Sequence, residues 1–234
     1  MILMKTIKPN LLLKYYFLLC FSLLAVSCSL KSRNQFQLIP SKESGITFSN
    51  DLTYTDEFNV YKYRNFYNGG GVAVGDINND GLVDVYFSAN QKSNELYLNQ
   101  GNFKFLNVTE LAGVGGQKAW ATGVTMVDIN ADGWLDIYVC NSGDLKGDKK
   151  QNELFINNQD GTFKEDAKSY GLDDKGFSTH AVFFDYDKDG DLDVYLLNNS
   201  YQAIGSFDLR REERPKRDTL GGDKLMRNDN GFFC

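Results

Sequence analysis

Short apolar runs alternate with polar turns over residues 69–234, and the same order of runs occurs three times. In each repeat one apolar run leads into an acidic loop and a second run leaves it. A third strand-like run and a glycine turn into a fourth then follow. In the first repeat these runs are Gly71–Val74, Val85–Phe87, Asn94–Asn99 and Gly101–Phe105. Four short antiparallel strands in about 55 residues are typical of one β-propeller blade.

The pattern predicts an all-β fold of about three four-stranded propeller blades that form an incomplete ring. The blades cover about residues 69–114, 120–172 and 178–234. The third repeat reaches Cys234 inside its fourth strand, whereas a propeller needs at least about four blades to close. We expect the chain to be the amino-terminal piece of a longer protein, or an open arc whose last edge is covered by another chain.

The acidic loops share one spacing of oxygen-bearing side chains. Counted from Asp76, Asp128 and Asp185, acids or amides stand at positions 1, 3, 5 and 9, and glycine stands at position 6. This spacing can gather hard oxygen ligands around one cation, and the glycine permits the sharp turn, so the loops predict up to three calcium ions. The candidate ligands are these side chains and the backbone carbonyl at position 7: Asp76, Asn78, Asp80, Leu82 and Asp84; Asp128, Asn130, Asp132, Trp134 and Asp136; Asp185, Asp187, Asp189, Asp191 and Asp193.

Asp, Asn and Gly are also ordinary turn residues, so a single loop of this kind would not indicate a metal site. Three copies in phase favour calcium, because each places a carboxylate at position 9, inside the following strand, where a turn needs no acid. The loops are not EF-hands, since they join strands and lack a glutamate at position 12, and their many ligands suit calcium better than magnesium. The loop that begins at Asp185 has four carboxylates at these positions and the others have three, so we expect it to bind calcium most tightly.

Four stretches of the chain resemble a known repeat family: Gly75–Gly81, Asn94–Asn99, Ser178–Asp187 and Leu220–Leu225. Over about residues 45–234 the chain is similar to the FG-GAP/VCBS repeats of integrin-type β-propellers. Its residue pattern is also similar to that of bacterial VCBS-repeat proteins that end in an ASPIC/UnbV domain. The resemblance implies calcium-loop blades but no particular function, because such propellers serve many roles.

Residues 1–28 have the character of a targeting segment. Lysines precede an apolar stretch, Tyr15–Val26, that is too short to span a bilayer as a stable helix. The segment Leu24–Cys28 resembles a bacterial lipoprotein box. This implies lipidation at Cys28 and an exported protein anchored to a membrane of the bacterial cell envelope. An ordinary signal peptide with an incidental cysteine is the alternative. Residues 29–44 are expected to form a tether.

The lead-in segment, residues 45–68, is expected to contribute one or two strands, at Gly45–Phe48 and Val60–Tyr67. The single histidine, His180, is expected to pack or form a hydrogen bond beside its strand. The four cysteines show no disulfide framework, although a bridge between Cys140 and Cys234 is left open. The aromatic side chains expected to pack within the blades are Trp120, Trp134, Phe103, Phe163 and Phe232.

The formal net charge of −6 and the lack of a broad basic face argue against nucleic acid as a partner. A long connection, about residues 199–222, carries a local cluster of basic side chains. It either contacts an anionic glycan or a protein, or is a solvated insertion whose charges pair with its own acids. The basic residues are Arg210, Arg211, Arg214, Lys216 and Arg217.

The sequence therefore favours a non-enzymatic, calcium-stabilised module on the cell surface that binds a protein or a glycan. The signature motifs of serine hydrolases, zinc proteases and phosphate-binding loops are absent. Two alternatives remain: part of a polysaccharide-cleaving propeller enzyme, and a scaffold for a missing downstream domain. Calcium-dependent retention on glycans without turnover would favour the binding module.

Overall fold

The computed structural model of the protein describes residues 36–63, 65–117, 120–142, 151–199 and 219–234. From Ile39 onward these residues belong to one compact unit. Its strands form three antiparallel sheets, each with its strands side by side in chain order. Within the described ranges, no helix combines the length and apolar character needed to cross a membrane.

The three sheets follow the three predicted repeats, so the prediction of all-β, blade-like repeats is confirmed. The first sheet contains β1 (Val72–Gly75), β2 (Asp84–Phe87), β3 (Glu95–Asn99) and β4 (Phe105–Asn107). The second contains β5 (Ala121–Val127), β6 (Asp136–Asn141), β7 (Glu153–Asn157) and β8 (Phe163–Glu165). The third contains β9 (Ser178–Phe184), β10 (Asp193–Asn198) and β11 (Lys224–Met226). One short helix precedes each sheet in the chain: α1 (Ser41–Ser44) the first, α2 (Thr109–Ala112) the second and α3 (Ala167–Tyr170) the third.

The strand register makes positions in the three blades directly comparable. The equivalent cross-strand pairs are Ala73–Tyr86, Thr125–Tyr138 and Val182–Tyr195. In the first two blades the tyrosine is buried and its hydroxyl donates to a backbone carbonyl just after the short helix. Tyr86 donates to the carbonyl of Val114 at 2.6 Å, and Tyr138 donates to that of Leu172 at 3.1 Å. These bonds fasten each helical connection to the sheet that it leaves.

The apolar core lies between consecutive blades. Because side chains alternate between the two faces of a strand, each sheet offers one face to the preceding blade and the other to the following blade. The first core cluster includes Ala73, Tyr86 and Leu96 of the first blade with Val124, Ile137, Val139 and Phe155 of the second. The second cluster includes Tyr138, Cys140 and Leu154 of the second blade with Ala181, Val194, Leu196 and Phe233 of the third.

The lead-in segment forms no strand in its described part, so the strands expected at Gly45–Phe48 and Val60–Tyr67 are wrong. Gly45 instead ends α1 with a φ of 79°. The described part of the second stretch folds into turns. The aromatic side chains that it buries are three residues apart, whereas a strand with one buried face would bury alternate residues. Tyr63 and Phe66 are buried around Trp120, with ring centroids 5.3 Å from the indole. Trp120 therefore packs as expected, but against the lead-in segment.

The third blade departs from the predicted four strands. After β11, only an isolated bridge between Asn228 and Phe233 takes the place of a fourth strand. Phe103 and Phe232 are exposed, so their prediction as core residues is wrong; both stand in the turn before the strand position. Phe163 packs against the first core cluster as expected, and the third blade fills the equivalent position with Phe233.

The other packing predictions have mixed outcomes. Trp134 is half-buried in the second acidic loop. His180 is exposed on β9, where its Nδ1 would lie 2.6 Å from a Cβ added to Gly123, so it packs against that glycine. Cys140 is a buried free thiol and Cys234 is an exposed one, so these two cysteines form no disulfide.

Candidate metal centres

Each acidic loop joins the first and second strands of its sheet, so the three loops occupy equivalent places in the three blades. The glycine at position 6 takes a left-handed conformation each time, with φ of 86° at Gly81, 85° at Gly133 and 100° at Gly190. The residue at position 4 also has a positive φ. Two left-handed residues in three positions curl the backbone tightly, so that side chains from positions 1, 3 and 5 face the same space.

The acid at position 9 is completely buried in all three loops and begins the second strand. In the second loop, one oxygen of Asp136 accepts the N–H of Ile129 at 3.1 Å and the other accepts the N–H of Asn157 at 2.8 Å. The first and third loops repeat both bonds through Asp84 and Asp193. This carboxylate therefore ties the loop to the third strand, a role that the spacing of the ligands does not indicate.

In each blade, an asparagine at the end of the third strand adds a hydrogen bond to those of the position-9 aspartate. Asn99, Asn157 and Asn228 end or follow that strand, and the side-chain amide of each donates to the carbonyl that precedes the second strand, at 2.9, 3.1 and 3.2 Å. An asparagine in phase with the position-9 aspartate is thus a sequence signal for this clamp.

Burial raises the pKa of Asp84 and Asp136, to about 6 for Asp136. The N–H bonds that each carboxylate accepts lower the pKa, and the neighbouring loop acids raise it, but loss of water is the largest cause. A nearby cation would favour the charged form of such a group. The local electrostatics are therefore compatible with a metal ion.

The first two loops have the same internal hydrogen bonds. In the first, the carboxylate of Asp76 accepts the N–H groups of Asp80 at 3.0 Å and Gly81 at 2.8 Å. The Asn78 amide donates to Asp80 at 3.0 Å, and the N–H of Leu82 donates to the same side chain at 2.8 Å. Asp128, Asn130, Asp132, Gly133 and Trp134 reproduce this network in the second loop.

The third loop gathers carboxylates more closely. Asp185, Asp187 and Asp193 each offer an oxygen within 4.8 Å of the others, the metal-compatible acid cluster found among the described residues. Asp189 is not part of this group, and one of its oxygens accepts the N–H of Asp191 at 3.2 Å. Oδ1 of Asp191 is buried and has no hydrogen-bond partner among the described groups.

Loss of water and mutual repulsion raise the pKa values of Asp187 and Asp191 in this loop. For Asp187, desolvation is the first cause and the charges of Asp189, Asp193 and Asp185 add to it. For Asp191, desolvation comes first and its contact with Asp189 follows. The donor set consists of carboxylate oxygens, which are the ligands that calcium prefers.

The opposite edge of the first blade carries an open cleft of about 890 Å³. It is lined by the start of the third strand and by the chain around α2, and it contains Glu95, Asn107 and Glu110. The lipidation residue Cys28 and the basic residues Arg210, Arg211, Arg214, Lys216 and Arg217 lie outside the described residues.

Comparison with known proteins identifies the repeats. The profile of the FG-GAP-like repeat matches residues 76–139 and 141–196, just over half of the chain. Cartilage acidic protein 1 of Mus musculus is 28% identical over 163 residues, which cover 68% of this chain and 23% of the relative. The human protein of that name is 26% identical over 170 residues, covering 73% of this chain and 24% of the relative.

The chain thus matches about a quarter of the length of these curated relatives. They are vertebrate proteins, so they support the FG-GAP part of the earlier resemblance and not its bacterial lipoprotein or ASPIC/UnbV part. The matched segments contain all three acidic loops, and their blades have the expected antiparallel strands. The chain therefore belongs to the FG-GAP-like repeat family.

Proposed function

We propose that the chain is an exported, non-enzymatic binding module whose loops hold up to three calcium ions. The carrying observation is the convergence of Asp185, Asp187 and Asp193 within 4.8 Å of one another. Calcium binds oxygen at about 2.3–2.6 Å, so ligands on opposite sides of one ion stand roughly 5 Å apart. The three carboxylates are spaced closely enough to share one calcium ion.

The proposed role of the ion is structural. Asp185 and Asp187 lie in the loop, whereas Asp193 begins β10 and is bonded to the N–H of Asn228. An ion shared by these carboxylates would join the loop to two strands and offset the repulsion among the acids. The first two loops supply the same positions with one asparagine each, and their lower charge makes them the weaker sites.

The calcium proposal is tested by titration calorimetry and by thermal unfolding with calcium and with a chelator. Asp187→Asn gives the third loop the same side chains at positions 1, 3, 5 and 9 as the first two, so its affinity should fall to theirs. Asp56→Asn makes the same charge change at an exposed residue outside the loops and should leave calcium binding unchanged. A folded sample that shows no binding heat and melts identically with calcium and chelator would refute the proposal.

A protein or a glycan is the proposed partner, because FG-GAP repeats typically mediate binding and the edge opposite the acidic loops carries an open cleft. The test is retention of the chain on an array of acidic and neutral glycans and on candidate proteins, with and without calcium. Calcium-dependent retention without product release supports a binding module. Depolymerisation of a retained polysaccharide would support the enzyme alternative instead.

Export and lipid anchoring through Cys28 complete the proposal. The apolar leader supports export, and the relatives are named for cartilage, a tissue that consists largely of extracellular matrix. Labelled palmitate should be incorporated into the wild-type chain in bacterial cells and not into Cys28→Ser. Incorporation into both chains would contradict lipidation at this residue.

A further inference from the structure

The first two acidic loops are joined by a direct hydrogen bond. The side-chain amide of Asn79, at position 4 of the first loop, donates to the backbone carbonyl of Gly133 in the second loop at 3.1 Å. That carbonyl and the N–H of Trp134 belong to the same peptide group, and the N–H donates to the candidate ligand Asp132 at 2.9 Å. Asn79 therefore holds the peptide group that orients a ligand of the neighbouring loop.

A buried asparagine makes a second connection between the same two loops. Asn157, which ends β7, donates its side-chain amide to the carbonyl of Ile77 in the first loop at 2.9 Å and to that of Leu135 in the second at 3.1 Å. An amide group has two N–H donors, so it can make both bonds at once. The backbone N–H of Asn157 also donates to Asp136, so this residue bonds to both loops and to a candidate ligand.

Close packing accompanies these bonds. Gly75 immediately precedes the first loop, and a Cβ added there would lie 2.6 Å from a methyl carbon of Leu135 in the second loop. The backbone before the first loop is therefore in contact with the side chain of Leu135. Because packed protein interiors transmit displacements, a shift of one loop at this place moves atoms of the other.

The second and third loops lack the polar connections. Position 4 of the second loop is Ala131, whose methyl group donates no hydrogen bond. Asn228, the equivalent of Asn157, donates its amide to the carbonyl of Leu192 at 3.2 Å, and none of its hydrogen bonds among the described groups reaches the second loop. Apolar contact remains at this junction, where Leu192 packs against the core cluster that contains Ile129.

We propose that the first and second loops bind calcium with positive coupling, whereas the third loop binds independently. This inference rests on the proposed calcium sites. When one loop of the pair is filled, its side chains and peptide groups are held in place, and Asn79 and Asn157 hold the neighbouring loop as well. That loop then loses less conformational freedom on binding, which raises its affinity. Such coupling is reciprocal, so each loop raises the affinity of the other by the same factor.

Electrostatic repulsion acts in the opposite direction. A filled loop is less negative than an empty one, so its charge alone lowers the affinity of a neighbouring loop for a second cation. Salt at about 0.15 M screens this effect between exposed groups. A rise in affinity therefore identifies the contacts as the cause, because charge alone gives a fall.

Titration calorimetry of chains with one or two loops disabled measures the coupling. With the third loop disabled, the product of the two stepwise association constants should exceed the product of the two single-loop constants about fivefold. With the first loop disabled, the second and third loops should show no such excess. Alanine at positions 3 and 5 disables a loop, the pairs being Asn78 and Asp80, Asn130 and Asp132, or Asp187 and Asp189.

Asn79→Ala tests the contact itself. Ala131 occupies the same position in the second loop with the same φ of 56°, so the first loop alone should keep its affinity for calcium. The excess in the pair should fall to about twofold or less, because one of the two polar connections is lost. Asn102→Ala is the matched control, since it removes an exposed side chain with a similar φ of 51° from the turn before β4 and should leave the excess unchanged.

The possible outcomes separate the two proposals. Equal products would show independent loops, and a lower product in the pair would show repulsion; either result overturns the coupling and leaves calcium binding in place. An excess that Asn79→Ala does not reduce, or an equal excess between the second and third loops, would also overturn it. A folded chain with no binding heat in any loop would refute calcium binding and the coupling together.

Discussion

Replacing Tyr138 by phenylalanine tests the bond that fastens a helical connection to its blade. The Tyr138 hydroxyl donates to the carbonyl of Leu172 at 3.1 Å and accepts the side-chain amide of Asn152 at 2.8 Å. Both bonds are buried, so Tyr138→Phe leaves a carbonyl and an amide hydrogen unpaired. At about 1–3 kcal/mol for each unsatisfied group, with some relaxation, we expect a loss of about 2–4 kcal/mol in the free energy of unfolding.

Tyr195→Phe is the matched control, because Tyr195 occupies the same register position in the third blade. Its hydroxyl bonds to Asp223 near solvent, so the change should cost no more than about 0.5 kcal/mol. Urea unfolding, with calcium present, measures both variants. Equal losses, or a loss below about 1 kcal/mol for Tyr138→Phe, would refute the argument that the buried bond stabilises the blade.

Two other substitutions test buried features of the blades. Burial raises the pKa of Glu153 above its ordinary value, so its contribution to stability should fall as pH rises through the folded-state pKa. Glu153→Gln should flatten that fall and gain most relative to wild type near neutral pH; parallel stability curves for the two proteins would contradict this. Gly171→Ala should destabilise by more than about 2 kcal/mol, because φ is 73° and the new Cβ would stand 2.5 Å from the carbonyl oxygen of Phe233. Gly161→Ala has a similar φ of 86° in open space and should cost only about 1 kcal/mol, so equal urea midpoints would rule out the contact as the cause.

The blade architecture could be predicted because two signals agree along the chain. Short apolar runs of strand length are separated by glycine turns, and the acidic loop recurs at the same place in each repeat. The lead-in segment was mispredicted because aromatic residues have high strand propensity wherever they occur. Here Tyr63 and Phe66 are placed by a tertiary contact with Trp120, which local sequence does not reveal.

The sequence predicted which residue types form the candidate site more accurately than it predicted their contacts. The spacing suggested that position 9 is only a ligand, whereas Asp136 also accepts two backbone N–H groups. That second role depends on which strand lies beside the loop, and pairing partners are not apparent in a ligand pattern. Outside the site, the helix Ser41–Ser44 and the Gly45 that ends it could have been identified from the sequence, because Thr109–Gly113 has the same order of a hydroxyl residue, three further residues and a glycine.

In each loop, the buried aspartate at position 9 ties the hairpin to the neighbouring strand, and other side chains carry most of the loop's charge. This acid and the asparagine beside it tie the hairpin to the third strand, whereas the side chains at positions 1, 3 and 5 bond mainly within the loop and lie at the surface or close to it. Substitutions at those outer positions can change the charge of one loop while Asp84, Asp136 or Asp193 still holds the hairpin. Repeats of this kind can therefore differ in the charge of one loop at a time and keep the same hairpin.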